Sequence, residues 1–138
     1  RLSTRKVDQS TTQPTTTSPL HLGDHKRQPR ATAILHTHPA ALTPLGGGLP
    51  GKSLAERLNL PVFECAVVRE KTATVPDVEP GAQELATAAG EAAATKQVIW
   101  LERHGLCVWG ENAAEVLALS EECEHLARVA LLAYATDF

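Results

Sequence analysis

The stretch Ala33-Ile34-Leu35-His36-Thr37-His38-Pro39 decides how this chain is read. Three apolar residues run straight into two histidines one residue apart, and a proline stops the run. A strand over residues 31–37 alternates its side chains with a period of two, so His36 and His38 emerge on one face and Thr37 on the other. The two imidazoles can then converge on a single metal ion; two solvated histidines at a strand end are the plainer alternative. The apolar lead-in and the abrupt proline place the pair at the mouth of a buried strand, where loops carry sites.

Working downstream, residues 40–51 contain Gly46-Gly47-Gly48 and Pro50 and are expected to form a mobile loop. A phosphate-cradling loop is not the favoured reading for Gly51-Lys52-Ser53, because the stretch lacks the preceding strand such a loop needs. Residues 53–58 suit a short helix, and Pro-Val-Phe-Glu-Cys-Ala-Val-Val over 61–68 reads as a second strand. A helix is expected from Pro80 to about residue 95, with Glu84 in its first turn favouring the helix dipole. Residues 97–102 form a third strand, Arg103-His104-Gly105 a tight break, and residues 106–109 a resumed strand. The last helix starts at Asn112 as N-cap, with Glu115 three residues on. Val116, Leu119, Cys123, Leu126, Ala127 and Ala130 make its apolar stripe. Upstream, residues 11–18 read as flexible on composition, and Ser18-Pro19 could open a short helix. Short strands alternating with helices indicate an α/β layered domain.

A length of 138 residues suits one domain with a core built without disulfides. Apolar content of 43% and charged content of 21% are those of a soluble globular protein. No apolar run approaches the roughly 20 residues needed to span a bilayer, so no membrane partner is expected. Residues 1–30 are polar and carry no secretory pattern. The three cysteines form no Cys-x-x-Cys pair and leave an odd one, which suits free thiols in a reducing cytoplasm. The net charge of −3 combines a basic first 30 residues with an acidic remainder. Without aromatic interleaving in the basic arm, nucleic acid is not expected as a partner. The chain starts with Arg and contains no Met.

Leu101-Glu102-Arg103-His104-Gly105-Leu106 repeats the logic of the opening stretch, since an apolar strand delivers a histidine at a turn. Taken alone, a His-Gly turn is usually only a turn. Combined with His36 and His38, His104 completes the three imidazoles of an open zinc site whose fourth position is free for substrate.

The motif at 33–39, the run Val98-Ile-Trp-Leu-Glu-Arg-His-Gly-Leu-Cys-Val-Trp-Gly110 and the helix from Asn112 together resemble the class II aldolase/adducin family. Val75-Pro-Asp-Val-Glu-Pro-Gly-Ala-Gln-Glu-Leu85 also looks like the family's segment between its two histidine motifs, and the likeness covers roughly residues 15–135. The resemblance implies a three-layer α-β-α fold with a central, mainly antiparallel sheet. The whole of 1–138 is then one class II aldolase/adducin-like domain, incomplete at its N-terminal side. Carried over by position, His36, His38 and His104 match the family's metal ligands, with Zn²⁺ or another divalent ion as cofactor. Thr15 and Thr16 fall on the two hydroxyl residues that bind substrate phosphate. Thr17 falls on the family's general base, a glutamate, and a threonine cannot act as a base at neutral pH. The catalytic base is therefore unassigned. Tyr134 is a weak match to the family's tyrosine acid, and packing on a helix face is its favoured role.

The activity implied is zinc-dependent aldol cleavage or formation of a carbon–carbon bond in a small sugar phosphate or related hydroxycarbonyl compound, through a metal-stabilised enediolate. Dehydration, epimerisation or decarboxylation on the same scaffold, and a non-catalytic adducin-like interaction domain, stay open beside it. A cytoplasmic homo-oligomer, a tetramer by analogy, is the expected assembly.

Overall fold

The protein is described from a computed structural model, which covers residues 21, 27–47, 53–80 and 82–136. The centre of the molecule is the pair of strands β3 (Val98–Leu101) and β4 (Gly105–Gly110), in which every residue is buried. Such continuous apolar runs mark strands covered on both faces. They form an antiparallel hairpin in which Leu101 faces Gly105 and Val98 faces Val108. On the far side of β4 lies β1 (Ala33–Thr37), antiparallel, with His36 opposite Cys107 and Thr37 opposite Leu106. On the far side of β3 lies β2 (Thr72–Val75), which runs parallel to it. The order is β1-β4-β3-β2. Two of the three pairings are antiparallel, so the sheet is mixed, with the expected antiparallel majority.

Helices cover both faces and give three layers. Odd-numbered β1 residues and even-numbered residues of β3 and β4 face the longest helix, α5 (Ala113–Ala135), in a core that includes Trp100, Leu106, Val108, Cys123, Leu126 and Ala130. Ile99, Leu101, Cys107 and Trp109 face α4 (Gln83–Ala93), whose Leu85, Ala89 and Ala93 recur at four-residue steps. Asn112 caps α5 as expected, its side-chain oxygen accepting the Glu115 N–H at 2.9 Å. The Glu115 carboxylate reaches the Glu111 N–H at 2.8 Å and Gln97 at 3.1 Å, tying the helix start to the sheet.

Two expectations are corrected. Residues 61–68 are no strand: they contribute most of helix α3 (Phe63–Lys71), and the strand follows it as β2. The valines, phenylalanine and cysteine suit a strand by propensity, but burial follows the helical step, with Cys65 and Val68 inside and Phe63 exposed. The described part of the expected loop over residues 40–51 is largely helical, and residues 48–51 lie outside the described residues. Leu42–Gly47 is a helix, α1, because Leu42 and Leu45, three residues apart, are both fully buried. Gly46 lies flat on the Trp100 indole, where any Cβ would overlap the ring. The short helix α2 (Leu54–Arg57) forms where expected, with a full capping box between Ser53 and Glu56. Among the described residues no helix is long and apolar enough to cross a membrane.

Candidate metal centre

The sheet order explains how two distant histidine motifs meet. Because β4 pairs with β1, the turn entering β4 lies beside the C-terminal end of β1, and residues some 70 positions apart become neighbours. His36 is the fourth residue of β1, His38 follows its last residue, and His104 is the last residue of the β3–β4 turn. Ring centroids are 4.8 Å apart for His36–His38 and for His36–His104, and 5.3 Å apart for His38–His104. One nitrogen from each ring lies within 4.8 Å of those of the other two, and among the described residues this set comprises the three histidines alone.

The turn that presents His104 is tight. Its N–H bonds the Leu101 carbonyl at 3.0 Å, and Arg103 takes φ = 56°, the left-handed region that suits glycine or asparagine better than arginine. The Glu102 N–H is tied to the Val75 carbonyl at 3.0 Å, and the Arg103 guanidinium meets Asp77 at 2.8 Å. Gly105 then passes directly under β1. A Cβ there would stand 2.5 Å from the Thr37 carbonyl oxygen and 2.6 Å from Cδ2 of His38, so only glycine lets the two histidine-bearing segments approach this closely.

Hydrogen bonding and burial prepare the imidazoles. His36 Nδ1 lies 3.0 Å from the Leu106 carbonyl. A carbonyl can only accept, so Nδ1 carries the proton and Nε2 keeps its lone pair. That Nε2, and Nδ1 of His104, are buried without a hydrogen-bond partner among the described residues. A buried unpaired nitrogen is costly to leave unmatched, and two of them facing a third imidazole fit a cation ligated by nitrogen. Burial pushes His36 down to about 4, with smaller downward pushes from His104, His38 and His21 opposing the Leu106 bond. Burial, then the charge of His38, lowers His104 as well. These two rings are therefore neutral at pH 7, the form a metal needs.

The other residues named from sequence fall elsewhere. Thr15, Thr16 and Thr17 lie outside the described residues. Tyr134 is 38% exposed and its hydroxyl donates to the Arg57 carbonyl at 2.9 Å, which ties α5 to α2 in a packing role. Sequence reasoning missed the contribution of α5 around His38. Thr37, His38, Glu124, His125 and Arg128 line a cavity of about 450 Å³ on the helix side of the β1 end. The available signal was the Glu124–Arg128 spacing of four residues, which also suits an ordinary solvated pair.

Solved structures share this arrangement of elements. YgbL from Escherichia coli, named as a candidate aldolase/epimerase/decarboxylase, is 27% identical with a TM-score of 0.76 over 90% of this chain and 59% of its own. A sugar-phosphate aldolase from Thermotoga maritima is 26% identical with a TM-score of 0.80, over 92% of this chain and 57% of its own. An L-fuculose 1-phosphate aldolase, 23% identical with a TM-score of 0.73 over 89% of this chain and 55% of its own, shares the fold. The chain thus spans less than two thirds of the length of each. No curated protein matches the sequence. The sequence pattern of the Class II Aldolase and Adducin N-terminal domain matches residues 1–131, nearly the whole chain, and the chain belongs to that family.

Proposed function

We propose that the chain forms the metal-holding part of a zinc-dependent class II aldolase that cleaves or forms a carbon–carbon bond in a small sugar phosphate or related hydroxycarbonyl compound. The observation that carries this reading is the convergence of His36, His38 and His104 with two buried, unpartnered ring nitrogens among them. When bound, a divalent ion supplies a Lewis acid that polarises the substrate carbonyl. The residues of the chain do the rest. His36, fixed in one tautomer by the Leu106 carbonyl, His38 and His104 hold the ion, and three neutral ligands leave its full charge for the substrate. Thr15 and Thr16 donate their hydroxyls to the substrate phosphate. Thr17 offers no carboxylate, so the proton is taken by a base that the family's motif does not locate in this chain.

That substitution is the specific observation favouring a second reading, a non-catalytic adducin-like domain that keeps the cradle without the chemistry. Dehydration, epimerisation and decarboxylation use the same centre. The three buried cysteines, Cys65, Cys107 and Cys123, form no disulfide among the described residues, which supports a reducing, cytoplasmic setting. Resemblance to the family supports a homo-oligomer, a tetramer. Metal analysis of the purified protein, followed by turnover on a panel of phosphorylated ketoses, tests the proposal. Stoichiometric zinc that is lost in His38→Ala, together with cleavage of one such substrate, supports it. Bound metal without turnover of any kind favours the interaction domain, and no bound divalent metal overturns both the site and the enzyme.

A further inference from the structure

Helix α5 grips the segment bearing His38 on both sides. Ahead of the histidine, Thr37 Oγ1 lies 3.3 Å from Ser120 Oγ. Behind it, the Glu124 carboxylate accepts the Ala41 N–H with both oxygens at 3.0 Å and the Leu42 N–H at 3.1 Å. Between these anchors the Pro39 carbonyl accepts from the N–H and the hydroxyl of Thr43, at 3.0 and 2.7 Å. Glu124 is only 17% exposed, with the Arg128 Nε at 3.2 Å as its charge partner. A carboxylate this far from water is held by its charge-assisted bonds, and these are stronger than neutral ones.

The grip matters because His38 has little else to orient it. The His36 ring is bonded to a carbonyl, whereas among the described residues no hydrogen bond reaches the His38 ring, which is exposed. Beyond its contacts with the other two rings and with Gly105, its direction depends on its backbone, and that backbone is pinned three residues downstream by Glu124. We propose that Glu124 is a positioning residue for His38, so that the helix opposite the three histidines sets how well they hold a metal. Glu124 lies outside the set of converging nitrogens and acts only through the 37–42 segment.

This inference rests on the metal reading above, and a Co²⁺ titration of the purified full chain, followed by visible absorption, separates the two. Glu124→Ala is expected to weaken Co²⁺ binding roughly 10–100-fold, the usual effect of removing an outer partner of a metal ligand. Glu124→Gln keeps one accepting oxygen and should fall between Glu124→Ala and the parent. The deciding measurement is the double variant. In a His38→Ala background, Glu124→Ala should cause no further loss of affinity, because the histidine it positions is gone. Wild-type affinity in Glu124→Ala, or losses that simply add in the double variant, overturns the proposal and leaves Glu124 as a cap for α1. Where Glu124→Ala does not fold, Glu124→Gln carries the same cycle. Failure of the parent protein to take up Co²⁺ overturns the metal reading itself.

Discussion

The two segments that meet at the histidine cluster are built in opposite ways. His36 and His38 sit at the end of a strand paired residue by residue with β4 and fastened to α5 by partly buried side-chain hydrogen bonds. His104 sits in a turn with an arginine in the left-handed region, secured by a largely exposed ion pair. One segment is fixed by many ordinary interactions. The other is fixed by a short connection with little freedom and by a glycine that admits no substitute. Precision at a site can therefore come from dense packing or from a constrained turn, and the two should fail differently when perturbed.

Removing an imidazole should have the largest effect. His36→Ala or His104→Ala is expected to lower divalent-metal affinity by more than the 10–100-fold typical of outer-partner changes, measured by competition with a chromophoric chelator. Retention of parental affinity in either would remove that side from the site.

Next come two glycines that separate packing from the candidate metal centre. Gly46→Ala drives a methyl into the Trp100 ring, and Gly105→Ala drives one into the Thr37 carbonyl and the His38 ring. Each should cost about 1–3 kcal/mol of folding stability, as overpacking does. Only Gly105→Ala should also weaken metal binding, at least tenfold, because only it moves a histidine. Equal metal affinities in the two folded variants would show that close approach at Gly105 serves the sheet alone.

A smaller effect is expected from acid on the metal-free protein. His36 titrates at about 4 when folded, against an ordinary value of 6.5. Between these values the unfolded chain binds a proton that the folded site refuses, so stability falls as pH drops through that window. Above 6.5 this group adds no pH dependence. Chemical denaturation of chelator-treated protein at several pH values should show the slope, and His36→Ala should flatten it.

The smallest effect belongs to the strained turn. Arg103→Asn exchanges arginine for a residue that tolerates positive φ, and it gives up an exposed ion pair worth 0–1 kcal/mol. A net gain of up to about 1 kcal/mol is expected in thermal unfolding. A clear loss would mean that the Asp77 contact outweighs the backbone strain.

The sequence made the candidate site legible before the fold. Alternation along 33–37 put His36 and His38 together, and the His-Gly turn could be recognised without knowing its neighbours. What no local pattern could supply was the pairing of β1 with β4, since strand order depends on contacts across some 70 residues. The misread stretch at 61–68 has a related cause. Its β-branched residues argue for a strand, and only the burial of Cys65 and Val68 against α5 selects a helix. Helix α1 was obscured in the same way, because Gly46 and Gly47 read as a break until Trp100 supplies the surface that Gly46 lies on. The part played by Glu124 was hidden because its partners are backbone N–H groups 82 and 83 positions away.

The three cysteines have a practical consequence. Cys65 and Cys123 belong to the layer between the sheet and α5, Cys107 to the layer beneath α4, and none is exposed. Burial holds the Cys123 thiol up near 12, so it is inert while the fold is closed. Alkylation followed by peptide mass spectrometry would thus time the opening of each layer with the protein's own thiols. If Cys107 is modified at a different rate from the other two, the faces of the sheet breathe independently; if all three react together, the molecule opens as one unit.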